Sequence, residues 1–182
     1  MKTMLFNSRA KKYLKKNPRS RRFVTYEKSE NILLLFESDG KGDEQIKNIV
    51  KMLTNDRKNV VALGFSKEKE LVESDVTEIN LFNKKSTVFF QKPKKAIFHK
   101  IKTKFDLLID LSENTLIPLM YISLLCNATM KISTKITEPQ LFDFILNIRY
   151  SDKKESNQKS TMNEQLIFDE IIFYLKSIQT TD

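Results

Sequence analysis

The stretch Asn31-Ile-Leu-Leu-Leu-Phe36 decides the fold, because a short unbroken apolar run is typical of a strand that is buried on both faces. Such strands occur in parallel sheets that helices cover on both sides. A turn, Ser38-Asp-Gly-Lys-Gly42, follows the run, and apolar residues at helical spacing continue from Asp43 to Leu53. These elements predict a strand, turn and helix unit of an α/β fold.

The same alternation of elements continues along the chain. Residues 59–65 and Phe105-Asp-Leu-Leu-Ile-Asp-Leu111 predict two further buried strands. Shorter strands are predicted at 78–82, 86–90, 130–133 and 140–148, and helices at 94–104, 115–128 and 162–178. Since strand–helix–strand units form right-handed crossovers, residues 29–182 are predicted to form a Rossmann-like α/β domain. Its sheet is mainly parallel, with helices on both faces.

Composition excludes several classes of protein and site. The chain has 182 residues, of which 40% are hydrophobic and 30% charged, which suits a domain with a sizeable core. One cysteine and one histidine exclude a disulfide framework and any site that needs two imidazoles or a Cys/His cluster. No metal site and no cofactor are therefore predicted. The longest apolar run, residues 116–126, is too short to span a bilayer, so we expect a cytoplasmic protein.

Charge is concentrated in two segments. Residues 1–22 hold nine basic residues and no acidic one, and residues 84–104 hold eight lysines and no acidic residue. The segments 29–83 and 105–182 each carry seven basic and eleven acidic residues, and the whole chain has a formal charge of +9. The basic character of the protein therefore lies in two blocks.

The first block is predicted to form a basic N-terminal arm, residues 1–28. Leu5, Phe6, Ala10, Tyr13 and Leu14 fall on one side of a helix and lysines largely on the other, and Pro18 ends it. No apolar residue of the arm belongs to the α/β pattern that starts at Asn31. We therefore expect the body to stay folded when residues 1–22 are deleted.

Nucleic acid is the usual partner of such a basic segment. We expect a non-enzymatic protein that binds structured RNA through phosphates, with ribosomal RNA or the ribosome as the favoured target. The predicted arm contacts are Lys11, Lys12, Lys15, Lys16, Arg19, Arg21 and Arg22, and a second patch comprises Lys92, Lys94 and Lys95. The nearby Phe89, Phe90 and Phe98 are assigned to the core rather than to base stacking. A solvated lysine-rich face, an anionic membrane surface and a cleavable targeting arm remain alternatives. Oligomeric state stays open.

A small-ligand site is the second hypothesis. Gly40 and Gly42 lead into a helix, and Asp110 and Ser112 follow a buried strand, so both pairs lie where open α/β sheets bind ligands. A nucleotide or nucleotide sugar would suit them. However, Gln45 replaces the third glycine of the fingerprint, and Asp43 and Glu44 place negative charge at the helix start. The alternative interpretation is structural. Asp43 and Glu44 would form an acidic cap on the helix after the first loop, and Asp110 and Ser112 would cap the helix that follows them.

Residues 105–133 carry a resemblance to known families. Phe-Asp-Leu-Leu-Ile-Asp-Leu-Ser, an apolar helix and then Cys-Asn-Ala-Thr-Met-Lys-Ile-Ser resemble a small uncharacterised family of bacterial proteins. The resemblance implies a basic N-terminal helix, one α/β domain and a C-terminal amphipathic helix. The segment is more distantly similar to the N-terminal half of heptosyltransferase-type glycosyltransferases. That similarity implies a Rossmann-like fold and a degenerate form of sugar-nucleotide binding. It places no catalytic residue at a numbered position.

Overall fold

A computed structural model describes residues 2–38, 40, 42–72, 74–148 and 163–178. This part of the chain contains six strands and five α-helices. The strands are β1 (Asn31–Ser38), β2 (Asn59–Ser66), β3 (Ile79–Phe82), β4 (Phe105–Asp110), β5 (Ala128–Ser133) and β6 (Phe144–Ile145). The helices are α1 (Lys2–Lys16), α2 (Glu44–Asn55), α3 (Lys95–His99), α4 (Ile117–Leu125) and α5 (Glu164–Ser177).

The six strands form one parallel sheet in the order β3-β2-β1-β4-β5-β6. Strand β1 is central, and its Leu35 is paired with Leu63 of β2 on one side and Asp110 of β4 on the other. The chain therefore winds outward in opposite directions from β1 and β4. This is the strand order of dinucleotide-binding folds, so the Rossmann-like prediction is confirmed.

Side chains of β1 alternate between two hydrophobic cores, as a strand requires. Leu33 and Leu35 share one core with residues of α1, α3 and α4, and we call this side of the sheet the α1 face. Ile32, Leu34 and Phe36 lie in the other core with residues of α2 and α5, on the side called the α5 face. Helices thus cover both faces, which explains why the central strands β1, β2 and β4 are mainly apolar.

Helix α1 forms where the sequence predicts it and ends before Pro18, but it is packed on the body. Phe6 and Ala10 are fully buried, and the Phe6 ring meets the Tyr121 ring of α4 edge-on at a centroid distance of 4.8 Å. The expectation that the arm adds no core residue is therefore wrong. The apolar side of an amphipathic helix is stabilised by burial, and α4 supplies the covering surface. The domain boundary at residue 28 stays a prediction.

The segment between α1 and β1 carries the chain from one face of the sheet to the other. It leaves α1 on the α1 face, and its Val24 and Tyr26 are buried in the core of the α5 face. The backbone N–H of Tyr26 donates to the Leu175 carbonyl of α5 at 3.5 Å. Residues 17–30 are therefore part of the packed structure.

Some predicted elements differ from the observed ones. Residues 86–90 do not form a strand. An antiparallel bridge joins Thr87 to Pro93, with one 3₁₀ turn before it at 84–86 and a second at 89–91 inside the loop that it closes. Phe90 and Gln91 have φ values of 59° and 61°, a left-handed conformation that cannot continue a strand. The strand predicted at 140–148 is reduced to β6, and the three predicted helices are shorter than their apolar patterns.

Candidate nucleic-acid interface

Charged helix residues are segregated between the two faces of the sheet. The helices of the α1 face, α1, α3 and α4, contain seven Lys or Arg residues and no Asp or Glu. The helices of the α5 face, α2 and α5, contain four acidic and three basic residues. The α1 face is therefore the one on which an anionic partner would meet the more favourable potential.

The four predicted phosphate contacts on α1 are exposed to solvent. Lys11, Lys12, Lys15 and Lys16 all lie on the outer side of the helix. Lys11 Nζ lies 2.7 Å from Glu138 Oε1, and both side chains of this pair are exposed. Exposed ion pairs contribute little free energy, so a phosphate can replace Glu138 at small cost.

The second basic block adjoins α1. Arg9 Cζ lies 4.6 Å from the centroid of the Phe90 ring, which is the distance of a cation–π contact. The loop that carries Phe90 is closed by a hydrogen bond of 2.7 Å from the Val88 N–H to the Lys92 carbonyl. Lys92, Lys94 and Lys95 are exposed in and after this loop. The structure thus joins the two predicted patches into one surface.

Phe89 is a feature of this surface that the sequence reasoning missed. Its side chain is 87% exposed at the tip of the loop, between the lysines at 84–85 and 92–95. The assignment of Phe89 to the core is therefore wrong, whereas Phe98 does pack against the core of the α1 face. Residues 86–90 were predicted to form a short strand. The pair of left-handed residues that turns Phe89 outward left no recognisable signal, because neither is glycine.

Arg19 lies apart from the exposed cations of the arm. Its Nη2 donates to both carboxylate oxygens of Asp143, at 2.6 and 2.5 Å, and its Nη1 donates to the carbonyls of Ala128 and Thr129 at 2.6 and 3.0 Å. The side chain is only 20% exposed. A guanidinium with four such acceptors anchors the linker to β5, so Arg19 is a structural residue in the unbound chain.

The two other arginines of the linker are more accessible. Arg21 Nε lies 3.3 Å from Asp143 Oδ1, and its side chain is about half exposed. Arg22 is exposed. Both residues are therefore placed where phosphate oxygens can reach them, next to the C-terminal end of α1.

Asp110 and Ser112, the second half of the small-ligand hypothesis, form a buried cluster with Lys135. Asp110 is 2% exposed, and its Oδ2 lies 2.9 Å from Lys135 Nζ. Its Oδ1 accepts hydrogen bonds from the Ser112 N–H at 3.0 Å and the Ser112 hydroxyl at 2.5 Å. Lys135 therefore pairs with the Asp110 carboxylate that the small-ligand hypothesis would use. The predicted capping role is also wrong, because α4 begins at Ile117 without a side-chain cap.

The glycine loop is a turn with left-handed residues. Gly40, Gly42 and Asp43 have φ values of 71°, 122° and 52°. The Ser38 hydroxyl donates to Asp43 Oδ2 at 2.7 Å, and Glu44 occupies the first turn of α2. These two carboxylates oppose a phosphate at the start of α2.

Metal binding and thiol chemistry find little support in the same described ranges. No group of three His, Cys, Asp or Glu side chains there could hold a metal ion. Burial raises the pKa of the Cys126 thiol to about 11, so the thiol stays protonated at neutral pH and is a poor nucleophile. In the described part of the chain, no helix combines the length and apolar character needed to cross a bilayer.

Comparison with known proteins gives one match. The model of a family described as "Family of unknown function (DUF6913)" matches residues 2–178, which include α1 and α5. No curated protein and no solved structure matches the chain. The family match agrees with the uncharacterised family expected from residues 105–133. The comparisons give no support to the similarity with heptosyltransferase-type glycosyltransferases.

Proposed function

The chain belongs to the DUF6913 family, whose function is unknown, and we propose that it is a non-enzymatic RNA-binding protein that uses its α1 face. One observation carries the proposal, namely that the helices of this face hold seven cations and no carboxylate. Lys11, Lys12, Lys15 and Lys16 contact phosphates, and Lys92, Lys94 and Lys95 extend the same surface. Contacts of this kind give affinity without base specificity.

Phe89 supports RNA over a uniform anionic surface. Bases in single-stranded loops and bulges stack on exposed aromatic rings, and each stacked base contributes about 1–3 kcal/mol. The ring of Phe89 is exposed among lysines, so a phosphate held by Lys92 or Lys94 would bring an unpaired base within its reach. We therefore propose RNA with unpaired nucleotides as the ligand, and ribosomal RNA as its cellular form.

The decisive experiment measures RNA affinity as a function of salt. Binding of an unstructured and a stem-loop RNA to the wild type should weaken steeply as salt rises. Replacing Lys11, Lys12, Lys15 and Lys16 with alanine should flatten the log–log slope by roughly three, since each lost phosphate contact contributes about 0.7–0.9. Phe89→Ala should weaken binding by about 1–3 kcal/mol while leaving the slope unchanged, because it removes stacking but no charge.

Two results would contradict the proposal. The first is an unchanged slope in the four-alanine variant. The second is that the wild type binds RNA weakly but binds anionic phospholipid vesicles, and that Phe89→Ala and Leu5→Ser abolish the vesicle binding. This result would indicate a membrane surface, because interfacial binding depends on buried apolar area. Sedimentation of cell lysate at low and high salt tests the ribosomal target, because the protein should leave the ribosomal fraction when salt is raised.

A further inference from the structure

A cavity of about 590 Å³ lies between the linker 17–22, the end of α4 and the start of β5. Four cationic residues line it, Arg19, Arg22, Lys104 and Lys131, and no lining residue is acidic. A neighbouring cavity of about 290 Å³ shares Arg19 and Lys131. The cavities lie at the amino end of β5. Asp110 and Gly40 lie at the other end of the parallel strands, where β4 and β1 finish.

Lys131 is a buried cation with little compensation. Its side chain is 3% exposed, and its ammonium donates to the Ser123 carbonyl, its single acceptor among the described residues. Asp143 lies nearby, but its carboxylate already accepts from Arg19 and the Lys131 backbone N–H and forms an ion pair with Arg21. One carboxylate therefore faces three cations. A buried ammonium without a paired anion is costly, so this arrangement favours an anion from outside.

Two buried hydroxyls add hydrogen-bond donors to the same place. Within the described chain, Ser123 Oγ and Thr129 Oγ1 are buried without a hydrogen-bond partner. Ser123 lines the smaller cavity and Thr129 the larger one. Thr129 and Lys131 are two residues apart on β5, so their side chains are on the same side of the strand. Buried hydroxyls nearly always have partners, and each of these can donate to an oxyanion.

We propose that this cavity binds a phosphate group carried as a monoester, either on a free small molecule or at the end of a nucleic-acid strand. Lys131 and the two hydroxyls supply donors for a dianionic phosphate, and the other lining cations add positive potential. The apolar part of the lining, with Tyr13, Leu14, Leu124 and Leu125, has room for the organic group that bears it. This site does not depend on RNA binding by the exposed lysines of α1.

Thermal denaturation and calorimetric titration of the full chain test the site. The probes are inorganic phosphate, a nucleoside 5′-monophosphate, and an RNA oligonucleotide with either a 5′-phosphate or a 5′-hydroxyl. Each phosphomonoester should raise the melting temperature in a saturable way, because a ligand of the native state stabilises it. Thr129→Val and Lys131→Met should each weaken binding about tenfold or more, since both remove a donor to a charged group.

The two variants are informative because they should fold. Thr129→Val removes a hydroxyl that has no partner, so the melting temperature without ligand should stay the same or rise. Lys131→Met replaces a buried charge with an apolar side chain of similar length, a change that is often tolerated. Lys51→Met, on the exposed side of α2 on the α5 face, is the matched control and should leave phosphate binding unchanged.

The outcomes identify the source of the phosphate group and show whether the proposal holds. Preference for the 5′-phosphorylated strand over the 5′-hydroxyl strand assigns the site to strand ends, and preference for the nucleotide assigns it to small molecules. Absence of a saturable shift up to about 10 mM probe overturns the proposal. Equal shifts in the wild type, Thr129→Val and Lys131→Met also overturn it. Neither result affects the salt-dependent RNA binding expected of α1, so the two proposals fail separately.

Discussion

The packing around β5 changes the pKa of one residue, Lys131. Burial lowers its pKa to about 8, and the positive charges of Arg19 and Arg21 act in the same direction. The neighbouring Cys126 and Asp143 act in the opposite direction. The side chain is therefore still mainly protonated at pH 7, and the fold carries the cost of that charge.

The pH dependence of stability should reveal this lysine. Between about pH 8 and its ordinary pKa of 10.5, the unfolded chain binds more protons at Lys131 than the folded chain does. Stability of the wild type relative to Lys131→Met should therefore rise over that window, by up to about 3 kcal/mol. Below pH 8 the penalty is fully present and the difference should be flat. Urea denaturation of both proteins from pH 6.5 to 10.5 measures it.

Comparison with the variant is needed because other groups titrate above pH 9. The raised pKa of Cys126 means that the folded state retains a proton the unfolded state loses, so stability falls from about pH 9 to 11. Burial and the Asp56 hydrogen bond raise the pKa of Tyr26, which acts in the same direction above pH 10. Both groups are present in wild type and variant. A relative stability that does not change with pH would contradict the buried charge at Lys131.

Sequence alone could not single out Lys131. It lies within Ala-Thr-Met-Lys-Ile-Ser, where a lone lysine in a short strand is compatible with an edge position and a solvated side chain. Its burial depends on the linker and on α4, which lie far from it in sequence. By contrast, the burial of Cys126 was predictable, because an apolar segment surrounds it.

Helix α1 shows what the helical spacing of apolar residues can predict and what it cannot. The apolar positions and Pro18 predicted the helix and its end correctly. They could not show which surface covers Phe6 and Ala10, because that surface is α4, more than 100 residues away. Strands β1, β2 and β4 were predictable because each is covered on both faces. Such a strand is a continuous apolar run, which can be recognised in the sequence without knowing which elements cover it.

Phe6→Ala should destabilise the protein by about 3–5 kcal/mol, the usual cost of emptying a fully buried phenylalanine site. Met4→Ala is the matched control on the same helix. Its side chain is 78% exposed, so the change should be within about 0.5 kcal/mol. Chemical denaturation measures both. Equal stability of the two variants, or an unchanged melting temperature after deletion of residues 1–22, would instead support an independent arm that ends at residue 28.

The whole molecule explains why the two basic blocks act together in the proposed function. Residues 1–22 and 84–104 are separated by three strands and a helix that belong largely to the α5 face or the sheet. The crossover from β3 to β4 returns the chain to the α1 face, where Arg9 meets Phe90. Sequence reasoning identified both blocks by composition, but their contact is a consequence of topology.

If one RNA molecule spans the α1 face, the position of a lysine should matter more than its charge. Replacing Lys94 and Lys95 with alanine should flatten the log–log salt slope of RNA binding by roughly 1.5, and this loss should add to that of the four-alanine variant of α1. Lys51→Ala with Lys176→Ala removes the same charge from helices of the α5 face and should leave the slope nearly unchanged. If the two double variants flatten the slope equally, RNA binding depends only on the net charge of the protein, because long-range attraction does not distinguish the two faces.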